Sequence, residues 1–333
     1  MGHPFRTLVL CAAIAATSLS HAAARAQGAA EAAATCANDD AQPPEQMLGI
    51  CGLVIGSTAA LPDRLHALIV RAGLQLRLDQ VDLAVADGDL AVQLDPLSAA
   101  ALEARGKALA AGKKFDRALD DFDRAIRLRP NEARLFASRA ATFASMHENR
   151  LAVRDYNEAV RLDPTRVQGL IDRAAAYTKV KRFDLVIDDQ SNIIRLEPTA
   201  EHYDARGQSY ARNNAYARAV ADFDEAIRRE PKASYFMNRA NSFSLSGAYD
   251  RAIADYNIAV QLQPDLAMAY NNRGVAWRDK GDTMRALADF EAAVRIDPTL
   301  DIAIRHRQQL GRTAVAVRKP AIGLHPSTDA SVR

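Results

Sequence analysis

The chain of 333 residues has little cysteine, little tryptophan and no excess of either charge. Its 3 cysteines are too few for a small domain held together mainly by disulfides. After the N-terminus no apolar run approaches the ~18 residues that a membrane-spanning helix needs, so no such helix is predicted there. The 43 Lys and Arg residues nearly balance the 41 Asp and Glu residues. This balance argues against nucleic acid or an anionic membrane as the main partner.

Motifs that carry catalytic or metal chemistry are also missing. The 7 histidines are scattered, and no pair has metal-ligand spacing on one helix face. The sequence contains neither a glycine-rich phosphate-binding loop nor a nucleophile-elbow motif. We therefore expect a protein without enzymatic activity, cofactor or metal.

Residues 1–26 have the pattern of a secretory signal peptide. Arg6 precedes an apolar stretch over residues 8–19, which is too short to span a bilayer. Ala24-Arg25-Ala26 has the small-x-small form of a cleavage site. We expect cleavage after Ala26, a periplasmic or secreted protein, and no membrane insertion after cleavage. The alternative is that the segment is retained as a membrane anchor.

Two cysteines, Cys36 and Cys51, remain beyond the predicted signal peptide. An even pair in an exported chain favours a disulfide, which would stabilise the fold by about 3 kcal/mol through restriction of the unfolded chain. Two buried thiols are the alternative.

A repeat runs through almost the whole chain. Between regularly spaced prolines, apolar residues recur at three- and four-residue steps on both sides of a short polar turn, a pattern typical of two amphipathic helices. Each proline ends the second helix, because it lacks an N–H and disfavours helix in the preceding residue. The sequence therefore predicts an all-α repeat protein. The prolines follow one another at intervals of 33 or 34 residues: Pro62, Pro96, Pro130, Pro164, Pro198, Pro231, Pro264 and Pro298.

Fixed positions of the repeat carry fixed residue types. With the proline as position 32, position 8 is always small, and aromatic residues collect at positions 4, 11, 17 and 24. The repeat that starts at Ala267 shows the pattern best, with Tyr270, Gly274, Trp277, Ala286, Phe290, Ala293 and Pro298. These residues resemble the consensus of the tetratricopeptide-repeat (TPR) family, over about residues 65–298. The resemblance implies a right-handed α-α superhelix of about seven helical hairpins with a capping helix at each end.

The period and the resemblance together divide the chain. Residues 27–64 are expected to form an N-terminal capping segment around the two cysteines, with a helix from Gln46 to Ser57. Residues 65–298 form seven repeats, the first of them degenerate because Gly88 stands at position 24. A C-terminal capping helix is expected over residues 299–312 and a disordered tail over residues 313–333.

Every repeat has an arginine at position 7 and an aspartate at position 23. The two positions lie on the two helices of one hairpin, so a ladder of ion pairs within the repeats is predicted. The alternative is a row of arginines that binds acidic ligands; the structural interpretation is favoured because the aspartate is never missing. The predicted pairs are Arg71 with Asp87, Arg105 with Asp121, Arg139 with Asp155, Arg173 with Asp189, Arg206 with Asp222, Arg239 with Asp255 and Arg273 with Asp289.

The resemblance also implies that the first helices of the hairpins line a groove that binds peptides. Toward the C-terminal half the groove positions are polar, whereas around Ala137, Ser138 and Ala141 they are small. Asn and Gln both donate and accept hydrogen bonds, which suits the backbone of an extended peptide. An ordinary solvated surface is the alternative. The candidate groove residues are Asp204, Gln208, Asn238, Asn241, Asn271, Asn272 and Arg278.

Together these patterns predict a noncatalytic scaffold or adaptor of the cell envelope, which binds a partner protein or peptide in its groove. The alternatives are a self-associating structural protein and an accessory subunit of an envelope enzyme complex.

Overall fold

The computed structural model describes residues 27–28, 30–38, 42–57 and 59–318, and every regular element among them is a helix. The predicted signal peptide of residues 1–26 lies outside the described residues. The chain divides into two compact units, unit 1 over Met1–Lys181 and unit 2 over Arg182–Arg333. Each unit is a series of helical hairpins, which confirms the predicted all-α repeat fold.

Unit 1 holds the N-terminal helices and the first hairpins. Its helices are α1 (residues 30–36), α2 (Pro44–Gly56), α3 (Leu61–Arg77), α4 (Val81–Leu94), α5 (Ala99–Ala111), α6 (Phe115–Leu128), α7 (Ala133–Ser145), α8 (Asn149–Leu162) and α9 (Val167–Lys179).

Unit 2 holds the later hairpins and the C-terminal helix. Its helices are α10 (Phe183–Leu196), α11 (Ala200–Arg212), α12 (Tyr216–Arg229), α13 (Ala233–Leu245), α14 (Tyr249–Leu262), α15 (Ala267–Lys280), α16 (Thr283–Ile296) and α17 (Asp301–Arg318).

Two terminal helices differ in length from the expectation. Helix α2 begins at Pro44 rather than Gln46, because proline is well suited to the first turn of a helix. Helix α17 continues past the expected end at residue 312 to Arg318. The sequence offers no helix breaker until Pro320, so the first part of the expected disordered tail is helical. Residues 319–333 of that tail lie outside the described residues.

The N-terminal capping segment is held by the predicted disulfide. Cys36 and Cys51 are joined, with an S–S distance of 2.04 Å, and this links α1 to α2. Both cysteines are buried in one apolar cluster with Met47 and with Ala67 and Leu74 of α3. Helices α1 and α2 therefore cover the apolar side of the first repeat, as a capping segment must.

The turn inside each hairpin holds one residue in the left-handed conformation. Position 15 has φ between 58° and 96° in all seven repeats. In six of these repeats, all but the one with Lys181, the next residue donates its N–H to the carbonyl of position 11, as Lys114 does to Leu109 at 2.8 Å, which closes the end of the first helix. Only Gly247 and Gly281 are glycines at this position. The other residues there are Asp79, Lys113, His147, Lys181 and Asn214.

Small residues at position 8 set how closely the two helices of a hairpin pack. A Cβ on Gly207 would lie 2.7 Å from Phe223 Cε1, and a Cβ on Gly274 would lie 2.7 Å from Phe290 Cε1. Both phenylalanines are fully buried at position 24. Glycine at position 8 therefore makes room for the phenylalanine ring.

Gly88, which breaks the aromatic pattern of the first repeat, has a packing role. A Cβ at this residue would lie 2.8 Å from Arg105 Cα on the next helix, α5. The absence of a side chain lets the backbones of α4 and α5 approach closely, so the residue that seemed degenerate in sequence is required by the contact between repeats.

Candidate functional site

The predicted ion-pair ladder forms within the two units. In each described pair the arginine binds both carboxylate oxygens of the aspartate; Arg105 Nε and Nη2, for example, each lie 2.7 Å from an oxygen of Asp121. Arg173 and Asp189 of the remaining predicted pair belong to different units. The described pairs are Arg71–Asp87, Arg105–Asp121, Arg139–Asp155, Arg206–Asp222, Arg239–Asp255 and Arg273–Asp289.

Each arginine at position 7 after the first repeat also reaches the preceding repeat, which sequence reasoning missed. Arg139 Nη1 binds Asp123 Oδ1 at 2.5 Å, and Arg239 Nη1 binds Asp224 Oδ1 at 2.6 Å. The acceptor is always at position 25, where the sequence has Asp, Asn or Ser, and this polar position was the available signal. The remaining contacts of this kind are Arg105 with Asp89, Arg173 with Asn157, Arg206 with Ser191 and Arg273 with Asn257.

Aromatic rings lie over five of the seven guanidinium groups, those from Arg139 onward. The Arg206 guanidinium lies 5.8 Å from the ring centroids of both Tyr203 and Tyr210, and Arg273 lies 5.3 Å from Tyr270. Hydrogen bonding to Asp222 raises the pKa of Arg206, against the opposing effect of burial. In Arg139, Arg206, Arg239 and Arg273, two carboxylate oxygens, a third acceptor and a ring leave little of the guanidinium for a ligand, so these ion pairs form a structural clamp.

Three of the candidate groove residues meet in unit 2 around one carboxylate. Asn238 Nδ2 donates to Asp204 Oδ1 at 2.8 Å, and Gln208 Nε2 donates to Asp204 Oδ2 at 2.7 Å. Burial raises the pKa of Asp204, and the two hydrogen bonds oppose the shift. Because both amide NH₂ groups donate to the carboxylate, Gln208 Oε1 and Asn238 Oδ1 are the ends of these amides that accept no hydrogen bond among the described residues.

A second polar chain runs from α14 to α17. Tyr256 Oη and Asn272 Nδ2 both donate to Asn241 Oδ1, at 2.6 and 3.0 Å. Asn271 Nδ2 donates to Asn272 Oδ1 at 3.0 Å, and His306 Nδ1 lies 2.9 Å from Asn271 Oδ1. The Asn241 carboxamide oxygen is thus occupied, and its NH₂ group donates no hydrogen bond among the described residues.

One candidate groove residue is buried and has a structural role, and a second belongs to neither of the two polar chains. Asn271 is only 1% exposed, so its side chain joins α15 to α17 and does not face a ligand. Sequence position alone could not show this, because the neighbouring helix α17 covers it. Arg278 binds Asp279 at 2.8 Å and belongs to neither polar chain. We call the four remaining amides, on α11, α13 and α15, the amide surface: Gln208, Asn238, Asn241 and Asn272.

Among the described residues, no group of three or more His, Cys, Asp or Glu side chains is placed to hold a metal ion. Over those residues no helix is long and apolar enough to cross a membrane.

Models of known protein families match two segments of the chain. A TPR repeat model matches residues 240–281, which include Asn241 and Asn272, and a second tetratricopeptide repeat model matches residues 74–133. The chain is a tetratricopeptide-repeat protein. No curated protein matches this TPR protein significantly.

Several solved structures are similar to this chain. The C-terminal part of a TPR repeat-containing protein from Cytophaga hutchinsonii matches with a TM-score of 0.59 and 18% identity, over 72% of this chain and 98% of that chain. A tetratricopeptide repeat protein from Parabacteroides merdae matches with a TM-score of 0.49 and 18% identity, over 74% and 98%. YrrB, a TPR protein with an unusual peptide-binding site, matches with a TM-score of 0.46 and 18% identity, over 56% and 97%. The first of these likenesses supports the fold alone.

Proposed function

We propose that this TPR protein is a noncatalytic scaffold or adaptor of the cell envelope, which binds an extended segment of a partner protein on the amide surface. Tetratricopeptide repeats serve as protein-interaction scaffolds, and their stacked first helices offer a continuous binding face. The envelope location is supported by the signal-peptide pattern of residues 1–26 and by the buried disulfide of Cys36 with Cys51. Structural disulfides persist in oxidising compartments.

The fixed orientation of the amides carries the proposal. Internal hydrogen bonds leave Asn238 with a free acceptor and Asn241, one helical turn away on α13, with a free donor. An extended peptide presents one N–H and one C=O per residue, so it complements this pair without any particular side chain. Amides held in place by their neighbours lose little conformational entropy on binding.

Asn241→Asp tests the site with minimal disturbance. The substitution keeps the Oδ1 acceptor that Tyr256 and Asn272 use, replaces the NH₂ group by oxygen and adds one negative charge. The matched control is Asn257→Asp, because Asn257 is a position-25 residue that accepts a bond from Arg273, where other repeats carry aspartate. The full chain would be used as bait in an envelope extract, and retained proteins would be identified by mass spectrometry.

The expected result is a short set of partners that is retained by the native chain and by Asn257→Asp and lost in Asn241→Asp. Equal retention by both variants would remove the amide surface from the binding site. Intact mass of the chain expressed with its own N-terminus, in a fractionated cell, tests the location; an unprocessed cytoplasmic chain would contradict it.

Self-association is the second candidate. Leu83 and Leu90 stand two turns apart on the outer side of α4 and are exposed, as is Leu97 just beyond the helix. An exposed apolar stripe of this kind favours association between copies of a chain. Recovery of the bait alone, with a large species in sedimentation velocity, would support this function in place of the adaptor.

A further inference from the structure

The hairpin turns of unit 2 lie along one edge of the stacked hairpins, which we call the turn edge. It comprises residues 212–218, 245–251 and 278–285, where each first helix ends and each second helix begins. Lys280 of the last turn binds Asp250 of the turn before it, so these two turns adjoin each other, as turns of stacked repeats do. The turn edge contains none of the four residues of the amide surface.

The turn edge has more positive than negative side chains, six Lys and Arg residues against three aspartates. Each aspartate is paired with a cation of the edge: Asp250 with Lys280, Asp279 with Arg278 and Asp282 with Arg285. Arg182 and Asp184, in the turn that begins unit 2, bind each other and add no net charge. The balance of charge over the whole chain therefore does not extend to this edge. Its three remaining cations are exposed and form no ion pair among the described residues: Arg212, Arg218 and Arg251.

An aromatic ring holds the unpaired Arg251 in place. Its guanidinium lies 4.1 Å from the ring centroid of Phe243, and the guanidinium of Arg285 lies 4.5 Å from that of Trp277 in the next repeat. Stacking uses the face of a guanidinium and leaves its N–H groups free at the rim, where they match the oxygens of a phosphate. Because the Arg251 side chain donates no hydrogen bond among the described residues, all of its N–H groups are available to such a ligand.

The turn edge also carries the two most exposed of the large apolar side chains described in unit 2. Leu245, the last residue of α13, is 64% exposed, and Met284, in the first turn of α16, is 69% exposed. Met284 lines an open pocket of about 480 Å³ together with Trp277 and Arg285. Apolar side chains beside unpaired cations are typical of a surface that enters the headgroup region of a bilayer, where the apolar groups reach the acyl chains and the arginines stay at the phosphates.

We propose that the turn edge of unit 2 binds the surface of a membrane that contains anionic lipid. Arg212, Arg218 and Arg251 bind lipid phosphates, and Leu245 and Met284 enter the boundary between headgroups and acyl chains. A soluble polyanion would use the arginines but leave both apolar side chains in water, so it matches the edge less well. The attachment is peripheral and needs no spanning helix. It goes beyond the proposed function, because it attaches the repeats to a surface through residues that the amide surface does not use.

The fluorescence of Trp277 reports on the turn edge alone, because this residue is the only tryptophan of the chain. The full chain is titrated with vesicles whose acyl chains carry bromine, which quenches tryptophan at the depth of the acyl chains. Binding through the apolar stretch of residues 8–19 would leave Trp277 in water. Vesicles of phosphatidylcholine with about one-third phosphatidylglycerol are compared with vesicles of phosphatidylcholine alone.

Two variants change the turn edge, and each has a matched control at the other end of a second helix. Arg251→Glu reverses the charge of the stacked arginine, and Leu245→Gln removes an apolar side chain without adding charge. The controls are Arg295→Glu and Leu262→Gln, since Arg295 is exposed without a described ion pair and Leu262 is 51% exposed. Circular dichroism checks that each variant is folded.

Half-maximal quenching is expected at a lipid concentration about tenfold lower with the anionic vesicles than with the neutral ones, and added salt should raise that concentration. Arg251→Glu and Leu245→Gln should each raise it about tenfold, whereas both controls and Asn241→Asp should match the native chain. Equal quenching by both kinds of vesicle, no quenching, indifference to Arg251→Glu or Leu245→Gln, or the same loss in Arg295→Glu would each overturn the proposal. Binding of a single-stranded oligonucleotide as tight as that of the vesicles would overturn it as well. Partner capture lost in Asn241→Asp would still stand in these cases, so the two proposals fail separately.

Discussion

Replacing Arg239 by methionine is expected to lower the free energy of unfolding by about 3–5 kcal/mol, the usual cost of breaking one side of a buried ion pair. Arg239 Nε and Nη2 each lie 2.7 Å from an oxygen of Asp255, whose side chain is only 7% exposed. Methionine keeps an unbranched apolar stem against the ring of Phe236 but leaves the aspartate charge buried and unpaired. The loss should therefore come from the carboxylate and not from packing.

Two further variants separate the contribution of the exposed acceptor from that of the buried charge to the loss of stability. Asp224, the acceptor from the preceding repeat, is 54% exposed, so Asp224→Asn should cost no more than about 1 kcal/mol. The double variant Arg239→Met with Asp255→Leu removes both charges and should recover most of the loss.

Urea unfolding, followed by circular dichroism, measures the stability of the native chain and of the three variants. Transition midpoints are compared directly, because repeat arrays often depart from two-state unfolding. A loss below about 1 kcal/mol in Arg239→Met would refute the clamp, since surface pairs contribute that little. Weakened partner capture in a variant of unchanged stability would instead favour arginines that bind acidic ligands.

Four other predictions follow from the described geometry. His147→Gly should raise stability by about 0.5–1 kcal/mol in thermal melts, because its φ of 64° strains any residue with a Cβ. Gly207→Ala should lower stability by about 1–3 kcal/mol through overpacking, whereas Gly73→Ala, with nothing within 4 Å of its Cβ, should be neutral or stabilising. Cys51→Ser should cost about 3 kcal/mol, and a reductant should add nothing further to that variant. Burial, with Arg278 and Arg305, lowers the pKa of His306, so the folded state favours the neutral ring. Stability should therefore be lost as pH falls below about 6.5, the unfolded pKa, and His306→Gln should reduce that pH dependence.

The amide surface was only partly predictable. Sequence register placed Asn238, Asn241 and Asn272 on the first helices, since the repeat position fixes the helix and its face. It could not show which end of each amide is free, because this depends on hydrogen bonds to Asp204 and Tyr256 on other helices. The small groove residues Ala137, Ser138 and Ala141 were likewise visible in the sequence, whereas the burial of Glu103 beneath Lys107 and Arg134 was not.

The sequence by itself determined the all-α repeat, its period, the hairpins and the pairing of position 7 with position 23. These features depend on local periodicity, on proline as a helix breaker and on a spacing that recurs in every repeat. The tertiary structure alone decided the contacts between successive repeats. The arginine bonds to position 25, the close approach at Gly88 and the burial of Asn271 by α17 all join helices of different hairpins. Such contacts depend on how one hairpin packs on the next, and that packing is a property of side-chain shape across the interface, which a periodic pattern within one repeat does not specify.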